Sequence, residues 1–280
     1  MDIGDYYSNS IEGFRKNPKL AVPVLVGYIG MYVIALILGL IVIVALFGMG
    51  SLSTGQFNIN SMNYTSIGTL FVFYLAILVI IFVISCCIAA ATIGMSKKII
   101  NGEKPELDAG LKSIKKYIIK IALVSIIFGL ILVVFTLPVV AGIAVDYMYG
   151  LFPALTIIGG LVAVCLWIVT YILFMFTYQS IIVGKKSVIG SIKDSVKVLK
   201  KNLLEVIVVL VINAVILLGI GALMFFINMF LGLIPIVGAF IGLILSLIVN
   251  SLTYPYFTLV LTYLYMDKKD KITADSRYID

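Results

Sequence analysis

The stretch SVKVLKKNLLEV at residues 195–206 sets a lysine pair directly before a long apolar run. The same arrangement occurs in GFRKNPKLAV at 13–22 and in SIKKYIIKIA at 113–122. The chain as a whole is 62% hydrophobic and only 12% charged, so three basic pairs in equivalent positions require an explanation. Their positions predict both the architecture of the protein and its orientation in a membrane.

Two uninterrupted apolar runs exclude a soluble globular domain. No charged residue occurs from Leu20 to Ser96 or from Val206 to Met266, whereas about 25% of the residues of a soluble domain are charged. A helix that crosses a membrane needs roughly 20 apolar residues. Segments of this kind lie at about 20–48, 67–96, 118–144, 152–183, 203–229 and 235–266. We therefore predict an all-α polytopic membrane bundle of six transmembrane helices, forming one integral membrane domain over 1–280.

Positive charge is confined to one side of this six-span arrangement. All 20 Lys and Arg residues lie at one end of the spans: before the first span, between spans two and three or, for Lys120, at the start of span three, between spans four and five, or after the sixth. Because basic residues concentrate on the cytoplasmic side of membrane proteins, both termini are expected to be cytoplasmic. The predicted location is the plasma membrane of a prokaryote. The outer side carries Asp146 and a glycosylation sequon at Asn63, whose use stays open.

The three basic pairs also align as parts of a repeated unit. In each copy, apolar residues precede the pair at the i, i+4 and i+7 spacing of one helix face. The sequence therefore predicts three units, approximately 5–98, 104–186 and 188–269. Each unit begins with a short amphipathic helix on the inner leaflet, turns at a basic elbow and continues as an apolar hairpin. The alternative is that basic residues simply precede every span that starts on the cytoplasmic side. That would explain the charges but not the shared spacing of the apolar positions.

The basic pairs are expected to contact the anionic lipid head groups of the inner leaflet, where each cation contributes about 1 kcal/mol. These lipid-facing residues are Arg15, Lys16, Lys115, Lys116, Lys200 and Lys201. Membrane lipids are thus the expected partners, and a protein partner or a homo-oligomer is left open. Nucleic acid is not an expected partner, because the cations lie in elbows and form no separate basic domain.

Catalytic and metal-binding chemistry finds little support in the sequence. The chain has no histidine, and no ionisable side chain is placed near the middle of a span. Proton-coupled transport and intramembrane hydrolysis both depend on such groups. The acidic cluster Glu103, Glu106 and Asp108 fits better with a helix start, where negative charge is favoured. We therefore expect no enzyme, and no catalytic residue, cofactor or metal.

Three neutral polar residues, Thr170, Asn213 and Asn250, are placed at the middle depth of their spans. If they face one another, they would line a polar seam through the bundle. The alternative is ordinary hydrogen bonding between helices, which contributes about 0.6 kcal/mol per contact on average. The pattern Gly238-Ala-Phe-Ile-Gly242 also predicts a place where two helix backbones approach closely.

Three segments carry a family resemblance: KKIINGEKPELDAGLKSIKK at 97–116, GSIKDSVKVLKKN at 190–202, and YPYFTLVLTYLYMDKK at 254–269. In these stretches the chain resembles six-span prokaryotic membrane families of unknown function, related to the membrane domain of glycerophosphodiester phosphodiesterases. The resemblance implies the fold and the membrane location only. It does not extend to the soluble phosphodiesterase domain, so it implies no catalytic residue.

Two hypotheses about function follow. The first is a non-enzymatic membrane scaffold that contacts lipids or binds a partner. The alternative is a transporter or channel for a neutral or lipidic solute, with Asn213 and Asn250 along its path. A cavity that reaches Asn213 would favour transport, and a closed, dry bundle would favour the scaffold.

Overall fold

Helices make up the regular structure of the described residues, which are 1–47, 64–149, 153–234 and 237–276 of the computed structural model. No strand occurs within these ranges. The helices are α1 (Ile3–Lys16), α2 (Val22–Phe47), α3 (Tyr64–Ile100), α4 (Leu107–Tyr149), α5 (Ala154–Phe174), α6 (Thr177–Ile182), α7 (Val188–Lys201), α8 (Leu203–Leu231) and α9 (Val237–Ser276). A 3₁₀ turn, Pro18–Ala21, joins α1 to α2. The sequon at Asn63 lies outside the described residues.

Six helical stretches are long and apolar enough to cross a membrane, and they coincide with the six predicted spans. They are Pro18–Val42, Leu70–Ile100, Leu107–Tyr149, Ala154–Ile182, Leu203–Leu231 and Val237–Asp270. Large apolar side chains such as Leu36, Val72 and Leu218 are exposed on their outer surfaces, as a lipid-facing surface requires. The prediction of an all-α polytopic helical bundle is confirmed.

The spans pair as three hairpins, α2–α3, α4–α5 and α8–α9, and each amphipathic segment packs on the returning arm of the preceding hairpin. The start of α4 packs on α3, where a Cβ on Gly94 would lie 2.0 Å from Ser113 Oγ. Helix α7 packs on α5 and α6, and α1 packs on α9. The contact between α1 and α9 joins the first unit to the last. A three-copy repeat would place each amphipathic segment in the same way against the preceding hairpin, and the contacts agree with this. The repeat itself stays a prediction.

The elbows depend on an asparagine that follows the basic pair. Asn17 and Asn202 end α1 and α7, and each side-chain Nδ2 donates a 3.0 Å hydrogen bond to the carbonyl four residues earlier, of Gly13 and Val198. Here the side-chain amide competes for a carbonyl of the last turn, and both asparagines leave the helical conformation, with φ of −133° and −134°. Tyr117 occupies the equivalent position in the middle unit and cannot do so. There α4 runs without a break from Leu107, so the elbow expected in this unit is a continuous helix.

Close backbone contacts hold the hairpins together. A Cβ on Gly142 would lie 2.6 Å from the carbonyl oxygen of Leu155, and one on Gly159 would lie 2.4 Å from that of Pro138. The pattern Gly238-Ala-Phe-Ile-Gly242 also lies at a close approach of two backbones. A Cβ on Gly238 would lie 1.8 Å from the carbonyl oxygen of Leu231. The absent side chains therefore let neighbouring backbones touch.

Asp146 is the polar feature of the α4–α5 hairpin. The sequence places it in an outer connector, whereas the structure has it in the last turns of α4, where it is buried. Its carboxylate accepts hydrogen bonds from the backbone N–H of Thr156 at 2.8 Å and from its hydroxyl at 2.7 Å. It thereby satisfies a free N–H in the first turn of α5, the role of a helix cap.

Candidate functional site

A cavity of about 420 Å³ lies at the centre of the bundle, and residues of all six spans line it. Its size falls within the range of sites for small molecules, about 300–1,000 Å³. The depth of the cavity in the bundle can be judged from Gln179, which lies six residues before Lys185 at the basic end. Six helical residues span about 9 Å. The cavity is therefore closer to the face with the basic residues than to the opposite face.

The lining is apolar and strongly aromatic. The rings include Tyr28, Phe128, Tyr171, Tyr178, Tyr254 and Phe257. Asp, Glu, Lys and Arg do not occur among the described lining residues. Because an uncompensated charge in such surroundings is very costly, the cavity suits a neutral molecule.

The side-chain oxygen of Gln179, a residue of this lining, has no hydrogen-bond partner among the described residues. Its side chain is 4% exposed, and within the described part of the chain its Oε1 has no hydrogen-bond donor. A buried acceptor left in this state costs about 1–3 kcal/mol. By contrast, the Tyr178 hydroxyl is satisfied by Ser125 Oγ at 2.7 Å. The oxygen is enclosed by its neighbours, and a ligand O–H or N–H group that reached it would satisfy it.

A break in the fourth span places Gln179. Helix α5 ends at Phe174 and α6 begins at Thr177, which leaves backbone groups of the break without their helical partners. Ser195 of α7 supplies them: its Oγ accepts from the backbone N–H of Phe176 at 3.2 Å and donates to the carbonyl of Leu173 at 2.7 Å. The amphipathic helix α7 therefore fixes the geometry of the cavity wall.

Helix α7 presents a face with both polar and apolar side chains to the bundle. Its buried residues are Ser191, Ser195, Val198 and Leu199, whereas Ile192 and Val196 are half-buried beside them. Asp194 accepts hydrogen bonds from Ser180 Oγ at 2.6 Å and from the Tyr265 hydroxyl at 2.7 Å. Serine and aspartate thus hold α7 against the bundle, together with Val198 and Leu199, which belong to the apolar core.

The three residues predicted to form a polar seam each have a separate partner. Thr170 is buried and donates to the Leu166 carbonyl of its own helix at 2.7 Å. Asn213 accepts from the Tyr7 hydroxyl of α1 at 2.9 Å. Asn250 donates to the Ser246 carbonyl at 2.7 Å, and of the three it alone is among the described residues that line the cavity.

A buried ionic cluster at the basic end of the bundle was not anticipated from the sequence. We name Tyr6, Glu205, Asp267 and Lys268 the inner ionic cluster. The Lys268 ammonium lies 2.5 Å from Glu205 Oε2 and 3.3 Å from Asp267 Oδ2, although Lys268 is only 3% exposed. The Tyr6 hydroxyl donates to Asp267 at 2.7 Å and to Glu205 at 3.0 Å.

This cluster fastens α1 to the start of α8 and the end of α9. Burial and the two carboxylates raise the pKa of Tyr6 far above its usual range, so its hydroxyl stays protonated and donates. Burial also raises the pKa of its neighbour Tyr7 to about 12, which preserves the hydrogen bond to Asn213. A sequence signal did exist, because Asp267 lies directly before Lys268 and Glu205 lies four residues after Lys201, both at span ends.

The predicted lipid-facing cations are all exposed: Arg15, Lys16, Lys115, Lys116, Lys200 and Lys201. Lys16 forms an ion pair with Glu12 on the exposed side of α1. The acidic residues near the start of α4 are also engaged, since Asp108 pairs with Lys112 and Glu103 pairs with Lys98. These pairs fit a solvated, charged surface at the ends of the spans.

Comparison with known proteins gives one match. The family model described as "Domain of unknown function (DUF7847)" matches residues 1–266, nearly the whole chain. No curated protein and no solved structure matches. The resemblance to the membrane domain of glycerophosphodiester phosphodiesterases is not tested by these comparisons and stays a prediction.

Proposed function

The chain belongs to the DUF7847 family of unknown function, and from this premise we propose that it is a non-enzymatic membrane protein that binds a neutral, lipid-like amphiphile in its central cavity. We place it in the plasma membrane of a prokaryote, with both termini cytoplasmic. The confinement of all 20 Lys and Arg residues to one end of the six-span arrangement supports this orientation.

The unpaired carbonyl of Gln179 in a largely apolar, uncharged cavity carries the proposal. A ligand that satisfies it needs a hydroxyl or amide N–H group. The aromatic walls require the rest of that ligand to be apolar. Alcohols or amides with long hydrocarbon chains have this chemistry, and they partition into the membrane that surrounds the spans.

Transport of the same class of solute is the second candidate. The observation that favours it is Asn250, which was predicted to lie on a transport path and lines the cavity. Asn213, the other predicted path residue, faces α1 through its bond to Tyr7. The geometry therefore supports binding of the amphiphile more directly than its passage across the bundle.

Replacing Gln179 with leucine should reduce the amphiphile that co-purifies with the protein about tenfold. The variant loses one hydrogen bond to the ligand, and about 1.4 kcal/mol corresponds to a factor of ten. Its stability without ligand should change little, because an unsatisfied buried oxygen is removed as well. Native mass spectrometry in mild detergent, with extraction and identification of the bound molecule, measures the occupancy.

Asn228→Leu is the matched control, since it removes an exposed side-chain amide from α8 at a position outside the cavity lining. It should retain the wild-type occupancy. If the wild-type protein carried no neutral adduct, or if both variants retained it equally, the proposed function would be wrong.

A further inference from the structure

The central cavity is closed toward the basic end of the bundle. There its lining residues Ile93, Val124 and Gln179 are only 2%, 1% and 4% exposed. Ile93 and Val124 belong to an apolar cluster whose members Ile121 and Ile181 are fully buried. These side chains fill the space between the cavity and the face with the basic residues, and close packing leaves no room for a molecule to pass between them.

The other end of the cavity is open. Its lining residues Tyr171, Leu217 and Tyr254 are 54%, 48% and 37% exposed, and Asn250 is exposed as well. Each of these four residues lies at least 11 residues from both ends of its span, which corresponds to about 16 Å of helix. Because the hydrocarbon core of a bilayer is about 30 Å thick, the opening faces lipid tails and not water.

Helix α8 creates this opening because it leaves the bundle partway along its length. Its buried residues, Val206, Val209 and Asn213, all lie in its first half. In its second half large apolar side chains are exposed, such as Leu218 at 72% and Phe225 at 66%. Helix α8 packs mainly on α9, and α5 packs mainly on α4. The opening therefore lies between α5 and α8, with α9 behind it.

Asn250 places an amide group at the opening. Its Nδ2 donates to the Ser246 carbonyl at 2.7 Å, whereas its Oδ1 accepts no hydrogen bond from the described residues. An amide oxygen that faces hydrocarbon without a donor is costly. An O–H or N–H group that came from the membrane would find its first hydrogen-bond acceptor here.

We propose that a neutral membrane amphiphile enters the cavity sideways from the bilayer, between α5 and α8, and binds with its head toward Gln179 and its hydrocarbon chain in the opening. This inference rests on the proposed function and adds the route and the orientation of the ligand. A neutral head can reach an opening at this depth, whereas a charged head would have to leave water for hydrocarbon at a large cost. Because the chain projects into lipid, the site selects the head of the ligand and not the length of its chain.

Quenching by brominated lipid tests the opening, since bromine atoms on acyl chains quench only those tryptophans that lie close to them. The one native tryptophan, Trp167, is first replaced by phenylalanine. Phe257→Trp then reports from within the cavity, where Phe257 is 9% exposed, and Tyr171→Trp reports from the opening. In vesicles of brominated phosphatidylcholine, Phe257→Trp should lose as large a share of its emission as Tyr171→Trp.

Phe176→Trp is the matched control, because Phe176 is fully buried three residues before Gln179 but belongs to the apolar core and not to the described cavity lining. It should keep the emission that it has in unbrominated lipid. Added octadecanol, an alcohol without bromine, should displace lipid chains from the cavity. It should therefore restore the emission of Phe257→Trp and leave Tyr171→Trp quenched, a comparison that does not depend on the folding of the control.

Three results would overturn the proposal. The first is a folded Phe257→Trp protein whose emission is unchanged in brominated lipid, because the cavity would then be closed to the membrane. The second is equal quenching of Phe257→Trp and Phe176→Trp, which would show that lipid chains reach the core without a defined opening. The third is octadecanol that binds, as native mass spectrometry shows, but leaves Phe257→Trp quenched.

Failure of this inference can be told apart from failure of the proposed function. If the wild-type protein carries a bound amphiphile while Phe257→Trp is not quenched, the proposed function stands and the sideways entry is wrong. If Phe257→Trp is quenched but native mass spectrometry finds no bound amphiphile, the opening stands and the proposed function is wrong.

Discussion

Replacing Lys268 with alanine should lower the free energy of unfolding by about 3–5 kcal/mol, a large part of the roughly 5–15 kcal/mol that native proteins have in total. The lysine is almost fully buried and is shared by Glu205 and Asp267. Its removal leaves two carboxylates close together at the ends of α8 and α9, with the Tyr6 hydroxyl donating to both. Unfolding in detergent, followed by circular dichroism, measures the loss.

Two further variants make this test specific. Lys200→Ala removes an exposed lysine of α7 and should change the stability by less than about 0.5 kcal/mol. Combining Lys268→Met with Glu205→Gln removes one charge of each sign and should recover much of the loss. A Lys268→Ala protein as stable as the wild type would show that the inner ionic cluster does not hold α1, α8 and α9 together.

Replacing Gly159 with alanine should destabilise the protein by about 3 kcal/mol, at the upper end of the usual cost of overpacking. The added Cβ would lie 2.4 Å from the carbonyl oxygen of Pro138 and 2.8 Å from its carbon. Both atoms belong to the backbone, so the clash cannot be relieved by rotating a side chain. Helices α4 and α5 would have to separate, and the cap that Asp146 provides would be strained.

The neighbouring residue supplies the control. A Cβ on Gly160 would meet no described atom within 4 Å, and alanine favours a helix by up to about 1 kcal/mol over glycine. Gly160→Ala should therefore be neutral or slightly stabilising in the same unfolding measurement. Equal effects of the two substitutions would contradict the close approach of α4 and α5.

The number and limits of the spans could be predicted because they depend on composition along the chain. Runs without charge from Leu20 to Ser96 and from Val206 to Met266 leave only a membrane as their surroundings. Helix α7 also begins and ends where its apolar spacing and basic pair indicate. The break expected after Lys116 is wrong: the helix runs on from Leu107 to Tyr149, and the middle unit has Tyr117 where the other two units have the asparagine at which their helices end.

The candidate sites could be predicted only in part, because they depend on which helices meet. Lys268 was taken as one of the tail cations, yet folding buries it between Glu205 and Asp267. Gln179 has no distinctive sequence motif, and its role arises from the break between α5 and α6 that Ser195 stabilises. Asn250 lines the cavity whereas Thr170 and Asn213 do not, because depth along a span does not say which way a residue faces.

The orientation proposed for the protein depends on one placement, in which every basic connector lies on the cytoplasmic side. Single cysteines in a variant that lacks the three native ones test it with an impermeant maleimide on intact cells. Cysteines at Met148 and Leu233, which are 76% and 78% exposed, should react in intact cells. Cysteines at Glu103 and Lys193 should react only after lysis. Labelling of Glu103 or Lys193 positions in intact cells, with protection of the other two, would contradict the account.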